Sequence, residues 1–246
     1  MLPVLVYADR WPLAHALEAL CRQQYPQRRV MRCDSLRALS HLLQARPQAP
    51  LILGVAAHEQ VFLFYAIHPL LRTRKVMVVA DNIYYSDRLV LECAGVGGIV
   101  RAGSLFSLLS SPPCTEHPLY GFLAGTDISR MTVTPVTVWG HVDDGDELLL
   151  LMNALMTYRL ELSALNEQEV KVLRGLWGGQ SVAELSLQTG ITRKMVSSYR
   201  VGALRKLGMV NHPDAFMRSG PPRADLQRTP FMTPADFMSP VRSRKR

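Results

Sequence analysis

Apolar positions in the first hundred residues fall into short continuous runs separated by longer amphipathic stretches. Val4–Ala8, Leu51–Val55 and Val76–Ala80 are such runs, the pattern of strands covered on both faces. Between them, Pro12–Leu20 places Leu13, Ala16, Leu17 and Leu20 at helical spacing. Arg29–Cys33 predicts an edge strand and Ser35 opens a helix that runs to Ala45. Phe62–Leu71 and Ser86–Ala94 predict helices, and Gly98–Arg101 a last strand. Strands alternating with helices at this period imply an α/β domain with a parallel sheet over residues 1–110.

From Ser110 the pattern breaks into a Pro-, Gly- and Thr-containing linker, residues 111–160. Within it Met131–Trp139 alternates Val and Thr as a β segment would, and Leu148–Leu160 is a helix apolar nearly all round. A helix of that kind needs a cover on every side, which predicts burial or a dimer interface. The acids before it, Asp143, Asp144, Asp146 and Glu147, lack the later Glu of a calcium loop. They suit the positive end of a helix macrodipole instead.

Residues 164–210 change period to three short helices. Asn166 with Glu169 and Ser181 with Glu184 have the spacing of capping boxes. Gly178–Gly179 and Gly190 end the first two helices, and Thr192 is the N-cap of the third, which runs to about Leu207. Val170, Leu173, Leu176 and Trp177, then Val182 and Leu185, then Ile191, Val196, Tyr199, Ala203 and Leu207 supply a small core. Arg193, Lys194, Ser197, Ser198 and Val201 are left on the outer face of the third helix. A tight Gly-containing turn before a helix with basic and hydroxyl side chains outward is a helix-turn-helix.

Leu165, Glu169, Val172, Leu173, Gly179, Ser181, Glu184, Leu185, Gly190, Ile191, Val196, Lys206, Leu207 and Gly208 resemble the LuxR/NarL-type (FixJ-like) DNA-binding domain. Val196–Arg200 is nearest its Rcs-type branch. That resemblance implies double-stranded DNA as partner, met by Thr192, Arg193, Lys194, Ser197, Ser198, Arg200, Val201 and Lys206. The chain departs from the family pattern at Ser186, Thr189, Met195, Tyr199 and Val201. The family's fourth helix begins well at Pro213–Arg218 and is cut short by Gly220–Pro222.

The N-terminal pattern resembles a CheY-like receiver, a doubly wound parallel sheet, through the loops Ala8–Leu13 and Ala94–Arg101. That family's phosphotransfer needs two acids and an acceptor Asp around Mg²⁺, with a Lys nearby. Here Asp9 is followed by Arg10, Leu53–Ala57 contains no carboxylate, and Arg101 stands for the Lys. The resemblance therefore implies a pseudo-receiver without phosphoacceptor, metal or cofactor. Asp81 and Asp87, in the loop after the fourth strand, are weaker candidates for any chemistry.

The net charge of +8 is unevenly placed. Residues 1–158 carry 13 basic and 13 acidic side chains, whereas residues 159–219 carry 9 against 5 and residues 220–246 carry 6 against 2. A basic C-terminal third suits a phosphate-backbone partner. Residues 220–246 have no periodicity and are expected to be a disordered basic tail. Cys21, Cys33, Cys93 and Cys114 lack metal-ligand spacing and read as reduced thiols. The N-terminus lacks a signal-peptide pattern and no run is long enough to span a membrane. These features predict a cytoplasmic bacterial transcription regulator, not an enzyme, with a helix-turn-helix domain at residues 161–219. It would act as a homodimer, or as a heterodimer with a true response regulator.

Overall fold

The computed structural model describes residues 2–107, 117–124, 139–207, 209 and 222–239. Residues 131–138 of the expected β segment, the expected helix from Pro213, Cys114 and the basic end at 242–246 lie outside the described residues.

Five parallel strands, β1 (Val4–Ala8), β2 (Val30–Cys33), β3 (Leu51–Gly54), β4 (Val76–Ala80) and β5 (Ile99–Arg101), form a sheet in the order β2-β1-β3-β4-β5. Ala8 pairs with Gly54, which brings the ends of β1 and β3 together. The helices between them are α1 (Trp11–Gln24), α2 (Leu36–Ala45), α3 (Val61–Leu71), α4 (Tyr85–Cys93), α5 (Ala102–Phe106) and α6 (Pro118–Ala124). The period-two alternation of strand side chains sorts the core into two layers. Val4, Val6, Ile52, Met77 and Val79 meet α1, α5 and α6 on one face. Leu5, Leu51, Leu53 and Val78 meet α2, α3 and α4 on the other.

The α/β core does not stop at residue 110: Leu119, Phe122 and Leu123 of α6 are buried with α1. Helix α7 (Gly145–Leu162), expected in a linker, is also part of the core, since Leu148, Leu149, Met152 and Met156 join the second layer. Its N-cap Asp144 makes no side-chain cap bond. The acids Asp146 and Glu147 stand in its first turn, at the positive end of the macrodipole. The cover is one-sided, and Leu150, Tyr158 and Leu162 remain exposed.

Helices α8 (Glu167–Trp177), α9 (Val182–Thr189) and α10 (Arg193–Lys206) follow, and α11 (Pro234–Met238) ends the described chain. Residues 222–239 do not form the expected free tail. They lie against the α2/α3 side of the sheet with Phe237 buried. What composition hid is local: Thr233 caps α11 with Asp236 in a capping box, and Phe231 finds an aromatic partner in Phe62.

Candidate nucleic-acid interface

The three-helix unit is built by its caps. Asn166 accepts from the Glu169 N–H, and Glu169 accepts from the Asn166 N–H, both at 2.8 Å. Ser181 and Glu184 repeat the exchange at 3.2 and 2.7 Å, each box being worth roughly 1 kcal/mol. Gly190 takes φ 71°, the left-handed conformation that turns α9 into α10. Gly175 has no room for a Cβ, which would lie 2.3 Å from Leu185 Cδ2, so α8 and α9 cross closely. Val172, Leu176, Leu185 and Val196 are the buried centre. Val172 therefore takes the core place expected of Val170, which is only partly covered.

That packing aims one face of α10 outward. Lys194, Ser198 and Val201 are exposed, with Ser197 half-buried beside them. Arg205 falls on the same exposed face, four residues beyond Val201. It was missed by sequence reading, although helical spacing from Ser198 and Val201 points to it. Arg193 and Lys194 make no ion pair among the described residues. Thr192 is exposed, but its hydroxyl already accepts from the Met195 N–H at 3.3 Å. Arg200 is half-buried, and its Nε is shut from solvent without a hydrogen-bond partner among the described residues.

Lys206 does not join the outward set. Its Nζ donates to Glu169 Oε2 at 2.7 Å and to the Ala164 carbonyl at 3.1 Å, tying α10 back to α8. Gly202 makes space for the carboxylate, whose Oε1 would lie 3.0 Å from any Cβ there. Burial raises the Glu169 pKa, but Lys206 and the Asn166 N–H outweigh it and hold the carboxyl below its usual range.

The second charged locality lies at the C-terminal end of the sheet. Gly54 ends β3 with no space for a side chain: a Cβ would sit 2.8 Å from Ala8 Cβ and 2.9 Å from Leu13 Cδ2. Asp9 is nearly buried and faces Arg10 at 3.9 Å and Arg228 at 3.4 Å. Arg10 also binds Asp81 at 2.7 Å. Among the described residues no cluster of His, Cys, Asp or Glu has the makings of a metal site. Asp87, set aside on sequence grounds, is fully buried in α4. Its carboxylate accepts from the backbone N–H groups of His58 and Tyr84 at 2.8 Å each, and lies 2.8 Å from His58 Nδ1.

No family model and no curated protein matches the chain. Among solved structures it resembles the two-component response regulator RcsB in its DNA complex, at 17% identity and a TM-score of 0.50. The match covers 87% of this chain and 99% of that one. A structure of two RcsB dimers bound to two parallel DNAs matches at 18% identity, TM-score 0.50 and the same coverage. The fold is a receiver followed by a helix-turn-helix domain. At these identities the likeness extends to the fold alone. No helix among the described residues is long and apolar enough to cross a membrane.

Proposed function

We propose that the chain is a sequence-specific, duplex-DNA-binding transcription regulator whose receiver works without phosphorylation. The observation that carries the first part is the uncovered face of α10, where Arg193, Lys194 and Arg205 lie beside Ser198 and Val201. A helix of this width fits the major groove, where hydroxyls read base edges and Val201 suits a thymine methyl group. Cations on its flanks suit phosphates, which position the helix without reading sequence. The second part is supported by Gly54 at the end of β3 and by the arginines facing Asp9. A divalent ion needs carboxylates free to ligate it, and those of this mouth, Asp9, Glu59 and Asp81, are paired with Arg10 and Arg228.

The test is DNA selection with the purified chain, followed by titrations of the recovered site at several salt concentrations. Binding should weaken with log salt by a slope of about 0.9 per phosphate contact. A flat salt dependence, or no enrichment of any site, would remove the reading.

The exposed Leu150, Tyr158 and Leu162 on α7 favour a second reading, in which a partner covers that face. The partner is a second copy or a true response regulator whose choice of target the chain modifies. Sedimentation of the chain alone and mixed with such a regulator separates the two. A monomer in both experiments would count against either.

A further inference from the structure

The acidic mouth of the receiver has an occupant, and it comes from the chain's own C-terminal segment. The Arg228 backbone N–H donates to the Glu59 carbonyl at 2.9 Å, its Nε to Glu59 Oε2 at 2.5 Å, and Nη1 reaches Asp9 Oδ2 at 3.4 Å. Two carboxylates from separate loops thus converge on one guanidinium, whose fork geometry suits that task. Gln227 on one side accepts from the Val61 N–H and donates to the His58 carbonyl, both at 2.9 Å. It thereby answers an open donor in the first turn of α3. Thr229 on the other side donates to the buried Gln60 amide oxygen at 2.5 Å.

The same segment grips α7, the helix that leads into the helix-turn-helix domain. Phe231 packs edge-on to Phe62 at 5.6 Å between centroids, and a Cβ on Gly145 would lie 3.2 Å from its own Cβ. Asn153, midway along α7, donates to the Pro222 carbonyl at 3.2 Å. At its far end α7 carries Arg159, whose guanidinium binds Glu92 of α4, and Leu160, which is buried with Leu173, Ala203 and Leu204. Tyr84 and Tyr85 of the receiver pack against that same cluster. Sequence-distant contacts therefore link the acidic mouth, the strap formed by residues 222–239, α7 and the α4 contact in one chain of packed groups.

We propose that residues 222–239 are a built-in latch in which Arg228 is the resident cation of the Asp9–Glu59 mouth. By holding α7 the latch fixes the helix-turn-helix domain against α4. The exposed face of α10 is not covered by it, so the latch sets the pose of the reading domain rather than masking it. Any ligand that takes Asp9 and Glu59 from Arg228 would loosen that pose. A basic peptide segment has the matching chemistry.

Hydrogen exchange of the full chain tests this without DNA, so its outcome is separate from the DNA-binding reading. In the wild type, amides of 222–239 should exchange at least ten-fold more slowly than the same segment as a free peptide. Arg228→Glu should abolish that protection and speed exchange several-fold in 61–64, 85–92 and 158–162. Glu59→Arg added to Arg228→Glu should restore much of it, because the pair is re-formed with its signs exchanged. The Arg228 side chain is 48% exposed and lies outside the buried core, so the variant is expected to fold. Peptide-like exchange of 222–239 in the wild type would overturn the latch. So would an Arg228→Glu effect that stays within the segment, or one that Glu59→Arg leaves unrelieved.

Discussion

Two charged regions of this molecule handle their cations in opposite ways. At the end of the sheet, Arg10 and Arg228 are each matched to carboxylates, Asp9, Asp81 and Glu59. On α10, Arg193 and Lys194 point outward with no counter-ion among the described residues. A cation answered within the fold contributes to pose and stability, whereas an unanswered one is available to an external anion. On the function proposed above, the contrast would separate the two domains by role, with the chemical site of the receiver closed and that of the helix-turn-helix domain open. Lys206 shows that the rule discriminates within one helix, since it lies on α10 yet belongs to the answered class.

The largest effect is expected at the end of β3. Gly54→Asp would restore a carboxylate at the end of β3, but the new side chain would run into Ala8 and Leu13. Overpacking costs about 1–3 kcal/mol, and an unpaired buried charge adds to it, so a loss of about 3 kcal/mol or more is expected. Urea denaturation measures it. A variant as stable as the wild type, with a Mg²⁺-dependent response to a phosphoryl donor, would show that the mouth is not closed.

Next in size, on the proposed DNA-binding function, is the outward face of α10. Ser198→Ala should cost ~1–3 kcal/mol at one base position of a selected site. Lys194→Ala and Arg205→Ala should weaken all duplexes alike and each reduce the salt slope by about 1. Competition assays with single-base variants of the site distinguish the two kinds of loss. Uniform losses from all three substitutions would remove Ser198 from the reading set.

Lys206 and Glu169 sharpen the boundary between the classes. Glu169→Ala should remove both the capping contact and the α8–α10 tie, costing about 1–2 kcal/mol at neutral pH. Because the folded carboxyl lies below its usual range, its contribution is present above the unfolded pKa and is lost as pH falls through the folded one. Wild-type stability should therefore decline below about pH 4.5, and the variant should decline less. Parallel pH profiles for the two proteins would show that the Glu169 carboxylate contributes nothing.

The sheet and the three-helix unit were legible because each rests on local rules. Apolar runs located the strands, and Asn166, Ser181, Gly190 and Thr192 marked helix ends to within a residue. The outer face of α10 followed from spacing, with Arg205 overlooked. The tie of Lys206 to Glu169 was not legible, because the partner lies 37 residues away and no local pattern links them. The strap was misread for the same reason on a larger scale. Arg228 meets Glu59 across 169 residues, and composition alone makes residues 220–246 look like free chain. Asp87 was invisible because its value lies in backbone donors that only the fold brings to it.

The smallest expected effect is the most direct check on the open class. If Arg193 and Lys194 are unanswered, removing either charge has no folded-state contact to break. Arg193→Ala and Lys194→Ala should each change stability by no more than about 0.5 kcal/mol. A slight gain at low salt is expected, since residues 159–219 carry 9 basic against 5 acidic side chains and like charges repel. Thermal or urea unfolding at two salt concentrations reads this out. A loss well above that bound would mean that the outward face of α10 has an intramolecular partner. The helix would then belong with the mouth of the receiver, among the charges the molecule keeps for itself.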